Sequence, residues 1–210
     1  MGQQAHLICR ALGLAGSDEL VARGRTDWVY ADAVTGRPAS VTPEMAAAFF
    51  PEGAPARHPE REPFPGAPPP PAGLFKTRLR VRWQDIDSAG IVNNPVYLEY
   101  VEECGFRVIA HFGWPYQRMA QAGFAVLLRK TQIRYLQPAR LDDELEVATW
   151  ASQVRRSTAL RHYSIRRAQD GELLAQAHCL GVWVDLASGR PIRIPPEFME
   201  SFAPNLVAED

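Results

Sequence analysis

A proline-rich segment divides this chain of 210 residues into two unequal parts. The segment, residues 51–73, reads PEGAPARHPEREPFPGAPPPPAG and contains nine of the 18 prolines. Because proline fixes φ and has no backbone N–H to donate, such a stretch can enter neither the interior of a helix nor a central strand. We therefore predict an extended, semi-rigid linker over residues 52–73.

The sequence before this linker resembles the sequence at the end of the chain. Residues 28–51 read WVYADAVTGRPASVTPEMAAAFFP, and residues 181–204 read GVWVDLASGRPIRIPPEFMESFAP. The two segments align without a gap at a constant offset of 153 residues, which places Asp32 on Asp185. A gapless match of this length indicates an internal repeat, and the alternative is a coincidence between two strand–turn–helix ends.

The N-terminal copy of the repeat is incomplete. Residues 1–51 match only the last third of the second part, so we predict a partial, truncated domain that is either degenerate or continued further upstream. Two strands alone are marginally stable in water, and their edges need cover from the second part or from another chain.

The second part begins with the pattern of a strand followed by a long helix. Apolar and basic side chains alternate from Phe75 to Trp83, as in a half-buried strand. Asn94 and Pro95 then form a typical helix start, with Asn94 as the N-cap. An amphipathic helix of about five turns is predicted by the spacing i, i+3, i+4, i+7 of the apolar residues Tyr97, Tyr100, Val101, Cys104 and Val108.

Four β-like segments complete the second part, at residues 124–136, 144–154, 158–167 and 173–185. Asp170 and Gly171 predict a hairpin between the last two. One helix followed by consecutive strands predicts an α+β layer, in which the helix is buried against a strongly curved antiparallel sheet.

Charge and cysteine content limit the classes of function. The 23 basic and 24 acidic side chains give a formal net charge of −1, so we expect no attraction to nucleic acid or to an anionic membrane. The three cysteines are far apart, which argues against disulfides and a structural zinc site and favours a reducing compartment. Because the N-terminus is a poor signal peptide and no apolar run approaches the roughly 20 residues of a membrane helix, we expect a cytoplasmic protein.

The segment VRWQDIDSAGIVNNPVYLEY, residues 81–100, contains a family signature. The pattern is D-x-D-x-x-G-x-V, then two residues and a helix with Y-x-x-Y, and it is matched by Asp85, Asp87, Gly90, Val92, Asn93, Asn94, Tyr97 and Tyr100. Further fits are Tyr135, Pro138, the turn at residues 142–143, and Val184 with Asp185. In these residues the chain resembles the hotdog-fold acyl-CoA thioesterases related to 4-hydroxybenzoyl-CoA thioesterase, over residues 74–204.

This resemblance implies a hotdog thioesterase domain at residues 74–205, preceded by a partial second hotdog repeat at residues 1–51. It makes Asp87 the catalytic carboxylate, which either attacks the thioester carbonyl or activates water. The carbonyl oxygen is polarised by backbone N–H groups near the N-terminus of the central helix. It also implies a site between paired subunits of a homodimer or homotetramer, an acyl-CoA substrate, and no cofactor other than the CoA of that substrate.

The residue types fit this chemistry independently of the resemblance. A thioester carbonyl is already electrophilic, so one placed carboxylate and one oxyanion donor can suffice. Asp87 lies before a helix N-terminus, where the free N–H groups and the dipole favour a negative oxygen. Gly90 permits a positive φ or a close backbone approach, and Asn94 can hold a water or a carbonyl. Some relatives have a histidine where this chain has Ile91 or Asn94, so Asp87 has no obvious acid partner here.

The remaining candidates bind substrate rather than react with it. Gly90, Val92, Tyr97 and Tyr100 are candidates for substrate binding, although both tyrosines also fit a purely structural place in the core. We expect the walls of the acyl pocket to come from Val96, Tyr97, Tyr100 and Phe124, with or without a contribution from a neighbouring subunit. Arg155, Arg156 and Ser157 suit a nucleotide phosphate, and a solvated basic turn is the alternative. We predict no metal ligands, because no metal-binding spacing is present.

Three other functions compete with thioester hydrolysis. A non-catalytic acyl-CoA or acyl-carrier binding protein would share the fold but would not need a carboxylate beside the carbonyl. A hydratase would need a histidine a few residues after Asp87, and the next one is His111. An interaction module built from the repeat stays open, because residues 1–51 have no equivalent of Asp87.

Overall fold

The computed structural model describes residues 6–13, 16, 20–27, 30–32, 35, 37–53 and 63–207. The chain forms two compact units, Met1–Pro63 and Phe64–Asp210.

The first unit is a short hairpin followed by a turn and a helix. Strands β1 (His6–Gly13) and β2 (Leu20–Asp27) pair antiparallel. A bridge between Ala31 and Pro38 closes the next turn, and helix α1 (Pro43–Phe49) follows. The Thr42 hydroxyl caps α1 by accepting from the Met45 N–H at 3.2 Å, while Pro43 supplies the fixed φ of the first turn.

The second unit contains a five-stranded antiparallel sheet and one long helix. Its strands are β3 (Phe75–Arg80), β4 (Phe124–Tyr135), β5 (Glu144–Ser152), β6 (Thr158–Arg167) and β7 (Leu173–Asp185), in the spatial order β3-β5-β6-β7-β4. Its helices are α2 (Val96–His111), α3 (Tyr116–Gln121) and α4 (Pro196–Phe202). The predicted order of a strand, a long helix and four strands is confirmed, and α3 was not predicted.

Helix α2 packs against β3 and β5 along a buried face. Its buried side chains have the predicted helical spacing, and they are Tyr97, Tyr100, Val101, Cys104 and Val108. The N-cap is Pro95 rather than Asn94, so that part of the prediction is wrong. Pro95 already has a helical φ of −59°, and the Val96 N–H is satisfied by the Asn93 carbonyl instead of an asparagine side chain. No helix in the described part of the chain is long and apolar enough to span a membrane.

A second apolar cluster fills the space beyond the last turns of α2. It contains Trp114, Phe124 and Trp183 together with Phe198 and Phe202 of α4. The rings of Phe198 and Phe202 stack with centroids 4.5 Å apart. Helix α4 is therefore held by burial of its aromatic side chains.

The end of the proline-rich segment belongs to the second unit. The Phe64 ring lies edge-on to His178, and the Pro68 carbonyl accepts a hydrogen bond from the Trp150 indole at 3.2 Å. Residues 64–73, which are part of the predicted linker, therefore belong to the second unit and make contacts within it. Residues 54–62 of the predicted linker lie outside the described part of the chain.

The two copies of the repeat have the same local structure. The bridge between Ala31 and Pro38 corresponds at the offset of 153 to the bridge between Val184 and Pro191. The pairing of β1 with β2 follows that of β6 with β7, since Cys9 opposite Arg25 corresponds to His162 opposite His178. Helices α1 and α4 also cover equivalent positions, Pro43–Phe49 and Pro196–Phe202.

Candidate active site

Asp87 lies in a tight loop between β3 and α2. A bridge between Ile86 and Val92 closes the loop, and the Asp87 N–H donates to the Ile91 carbonyl at 2.9 Å. The Gly90 N–H donates to the Asp87 carbonyl at 3.0 Å, and Gly90 has a φ of +74°. A side chain at Gly90 would meet open space, so glycine is required there for its backbone conformation, as predicted.

The Asp87 side chain is half-buried and only partly bonded. Its Oδ1 accepts from the Ala89 N–H at 2.8 Å, which fixes the rotamer. Its Oδ2 makes no hydrogen bond or ion pair with any described residue. The loop thus holds the carboxylate in place and leaves one oxygen available to a substrate or a water.

Asp85, two residues earlier, has the opposite environment. It is 2% exposed, accepts from the Arg82 backbone N–H at 2.8 Å, and forms an ion pair with the Arg82 guanidinium at 3.0 Å. The Tyr100 hydroxyl donates to it at 2.8 Å. Burial alone would raise the pKa of Asp85, but the bonds from Arg82 and Tyr100 hold it below its ordinary value. Asp85 therefore anchors the Asp87 loop to α2.

Both helix tyrosines are engaged in the core. The Tyr97 hydroxyl accepts from the Ala139 N–H at 2.9 Å, and Tyr100 donates to Asp85. Burial raises the pKa of both hydroxyls. Val92 is also buried, and its N–H donates to the Ala139 carbonyl. The structure places these three predicted substrate-binding residues in the core that supports the loop.

Asn94 is exposed at the start of α2 and contributes its backbone to the site. Its carbonyl accepts from the Tyr135 hydroxyl at 2.9 Å. Its N–H has no hydrogen-bond partner among the described residues. A free N–H at a helix start can stabilise a developing oxyanion.

The structure does not bring Arg155, Arg156 and Ser157 to Asp87 within one chain. They lie in the hairpin that follows the last residue of β5. The Asp87 loop follows β3, whose last residue pairs with Glu144, the first residue of β5. Since a strand rises about 3.3 Å per residue, the two regions are roughly 25–30 Å apart along β5. Both guanidinium groups are exposed and form no ion pair with a described residue.

An apolar cavity of about 350 Å³ lies beside α2. One wall is a helical stripe that starts in the first turn, at Leu98, and continues through Gly105 to Ile109. The opposite wall includes the buried Trp183 and one cation, Arg161. Arg161 lies on the same face of β6 as the buried Ala159 and Tyr163, so the strand period could have placed it inside, although its charge favoured the surface.

Comparisons with known proteins agree with this geometry. The model of the Thioesterase-like superfamily matches residues 81–202. The chain is 30% identical over 129 residues to the acyl-CoA thioester hydrolase YbgC of Escherichia coli O6:H1, covering 61% of this chain and 96% of that protein. It is 26% identical to the long-chain acyl-CoA thioesterase FadM of E. coli K12, covering 60% and 95%.

Solved structures share the fold of the second unit. A hypothetical protein of Aquifex aeolicus superposes with a TM-score of 0.57 at 28% identity, covering 61% of this chain and 98% of that one. The 1,4-dihydroxy-2-naphthoyl-CoA thioesterase Slr0204 of Synechocystis superposes with a TM-score of 0.59 at 24% identity, covering 62% and 96%.

The fold and these matches define the class of protein: a hotdog-fold thioester hydrolase. Within that class the chain belongs to the Thioesterase-like superfamily. The predicted fold, the predicted family resemblance and the predicted enzyme class are confirmed. The family match begins at Val81, so the N-terminal unit lies outside it.

Proposed function

We propose that the protein hydrolyses an acyl-CoA thioester to a free acid and CoA, with Asp87 as nucleophile or general base. The observation that carries the proposal is the Asp87 carboxylate itself. One oxygen is fixed by the Ala89 N–H, and the other makes no bond to a described residue. Thioester hydrolysis needs a carboxylate that is held in position and has an oxygen free to react. Unlike Asp85, Asp87 makes no ion pair with a described residue and no hydrogen bond to α2 that would assign it a structural role.

Two routes use this carboxylate. As a nucleophile, Asp87 attacks the thioester carbon, the C–S bond breaks, the thiolate takes a proton from water, and a second water hydrolyses the anhydride. As a general base, Asp87 takes a proton from the attacking water and returns it to the leaving thiolate. In both routes the Asn94 N–H and the start of α2 stabilise the oxyanion. With Ile91 and Asn94 in place of a histidine, neither route has a side-chain acid beside Asp87.

A complete site needs two chains. Strand β4 is an edge of the sheet that pairs with no other described strand on its free side, and Leu127 and Leu128 on it are more than half exposed. A long strand edge with exposed leucines is suited to pairing with a second copy. We propose a homo-oligomer built on β4, with a dimer as its smallest form.

Antiparallel pairing of β4 with its copy would unite the two halves of the site. The Tyr135 end of β4 lies at the Asp87 loop, because Tyr135 bonds to Asn94. The Phe124 end lies near the hairpin between β5 and β6, which carries Arg155, Arg156 and Ser157. Phe124 pairs with Asp185 on β7, and two residues away the Trp183 N–H donates to the Ser157 carbonyl. A two-fold axis at the middle of β4 would therefore place one copy's Arg155, Arg156 and Ser157 near the other copy's Asp87, where the guanidinium groups can bind CoA phosphates.

We place the enzyme in the cytoplasm and assign it no cofactor apart from the CoA of its substrate. We assign it no metal, no nucleic-acid partner and no membrane partner.

The test is hydrolysis of acyl-CoAs of short, medium, long and aromatic type, followed by release of free thiol. We expect activity in the parent and a loss of about 100-fold or more in Asp87→Asn, because a principal catalytic group is removed. Asp170→Asn is the matched control, since this exposed carboxylate lies in the hairpin after β6 and should leave the rate unchanged. If the folded parent turns over none of these substrates, hydrolysis is rejected in favour of acyl-CoA or acyl-carrier binding. Equal rates for the parent and Asp87→Asn would reject the role of Asp87.

A further inference from the structure

The cavity beside α2 runs along the helix from its first turn. Leu98, Glu102, Gly105 and Ile109 face it at successive turns, so its length along the helix is about 16 Å at 1.5 Å per residue. Leu98, at one end of the cavity, is in the first turn of α2, the helix that follows the Asp87 loop in the chain. A thioester bound at Asp87 can therefore direct its acyl group into this cavity.

Arg161 is the one cation among the residues that line the cavity, and its guanidinium lies over the Phe202 ring at 5.4 Å from the centroid. Its Nη1 donates to the Asn205 Oδ1 at 2.9 Å and to the Thr149 hydroxyl at 3.4 Å. Asn205 is itself buried and donates to the Gly73 and Thr149 carbonyls. This network fixes the guanidinium while its Nε and Nη2 have no hydrogen-bond partner among the described residues.

No described carboxylate neutralises Arg161. Glu102 also lines the cavity, but its side chain is exposed and forms no ion pair with Arg161. The titratable groups that interact electrostatically with Arg161 include Tyr163, Cys104 and Cys179, and burial lowers the pKa of Arg161. An unpaired guanidinium on an otherwise apolar wall is costly, unless a bound anion supplies the missing charge.

A second unused donor lies on the same wall. Trp183 lines the cavity, and its buried indole N–H has no hydrogen-bond partner among the described residues. Buried tryptophan N–H groups usually find an acceptor. A ligand with oxygen acceptors would satisfy both donors, the Arg161 guanidinium and the Trp183 indole N–H.

We infer that this cavity binds an acyl group that ends in a carboxylate, with Arg161 as the residue that selects it. The inference rests on the proposed thioesterase function and names its substrate class. The planar fork of N–H donors on a guanidinium matches the two oxygens of a carboxylate, while the apolar walls cover the chain between the two ends of the substrate. Arg161 is a specificity residue and does not touch the reacting carbon.

The test compares two acyl-CoA series of matched carbon number, one ending in a methyl group and one in a carboxylate. For the parent we expect kcat/KM to be about 10- to 100-fold higher on the carboxylate series, because a hydrogen bond to a charged group typically contributes that much. Arg161→Gln should reverse the preference, mainly through KM, and Arg161→Lys should restore part of it. Arg166→Gln is the matched control, since Arg166 is an exposed arginine on the same strand.

A second measurement separates this inference from the proposed function. Calorimetric titration with free dicarboxylic acids should show binding to the parent and none to Arg161→Gln. If the parent hydrolyses no thioester but binds these acids through Arg161, the inference holds and the hydrolysis proposal fails. If the parent prefers methyl-ended substrates and binds no dicarboxylate, the hydrolysis proposal stands and the inference is overturned. The preference of the parent decides the matter even if Arg161→Gln does not fold.

Discussion

The two copies of the repeat share a local fold but differ in burial. In each copy an aspartate caps the turn: the Asp32 carboxylate accepts from the Thr35 N–H at 2.7 Å, and the Asp185 carboxylate accepts from the Ser188 N–H at 2.7 Å. Each turn leads to a helix with proline in its first turn. Yet α4 buries Phe198 and Phe202, whereas α1 has no buried residue.

This difference distinguishes local structure, which the repeated segment forms by itself, from burial, which depends on the rest of the fold. Turn and helix arise from neighbouring residues, namely an aspartate that bonds three residues ahead and a proline with a preset φ. Burial depends on partners outside the repeated segment, because α4 packs on Trp114 and Phe124. The same local sequence therefore gives a stable element in one place and a solvated one in the other.

The equivalent phenylalanines Phe202 and Phe49 give the largest expected contrast. Phe202 is 1% exposed and Phe49 is 62% exposed. We expect Phe202→Ala to lower the free energy of unfolding by about 3–5 kcal/mol, the usual cost of a large aromatic removed from a core. Phe49→Ala should cost less than about 0.5 kcal/mol. Denaturant unfolding followed by tryptophan fluorescence measures both, and equal losses would contradict the difference in burial.

Sequence patterns predicted the fold well where they are periodic. The stripe on α2 and the alternation in β3 predicted both elements, because burial on one face leaves a regular spacing. Helix α3 was missed, since six residues are too short to show a period. The N-cap at Asn94 was wrong because the choice between two adjacent residues depends on backbone geometry that spacing does not record.

Only those residues of the candidate site that are close together in the sequence could be predicted. Asp87 and Gly90 lie in one loop, and their motif placed them correctly beside the start of α2. The roles of Tyr97 and Tyr100 were not predictable, since a tyrosine on an apolar helix face can equally line a pocket or bond within the core. Arg161 was missed because its anchor, Asn205, is 44 residues away in the sequence.

A pair of buried histidines gives the next contrast between the copies. His162 accepts or donates to His178 at 2.8 Å and to the Ser152 hydroxyl at 2.7 Å, and both histidines are buried. Burial, with the neighbouring His178 and Arg161, lowers the pKa of His162 to about 4 from 6.5. The equivalent ladder positions in the first copy hold Cys9 and Arg25.

The histidine pair predicts acid-sensitive stability of the second unit. Between the two pKa values the unfolded chain binds more protons than the folded protein, so the free energy of unfolding falls as pH drops from about 6.5 to about 4. We expect His162 to account for roughly 1–3 kcal/mol of this loss. Urea unfolding at about pH 7 and about pH 5 measures it. His162→Gln should flatten the dependence, and an unchanged slope would show that other groups cause it.

The smallest effect concerns the caps of the two repeated helices. Helix α1 has a side-chain cap in Thr42, whereas α4 begins after Pro195 with no side-chain cap. Because α1 buries nothing, its stability depends on local bonds, and Thr42→Ala should cost about 1 kcal/mol, or roughly fivefold in amide exchange rate. Hydrogen exchange of the α1 amides measures this loss.

Pro195→Ala is the matched change in the second copy and should leave exchange in α4 nearly constant, since burial of Phe198 and Phe202 holds that helix. A larger effect at Pro195 than at Thr42 would mean that local capping, rather than burial, distinguishes the two copies.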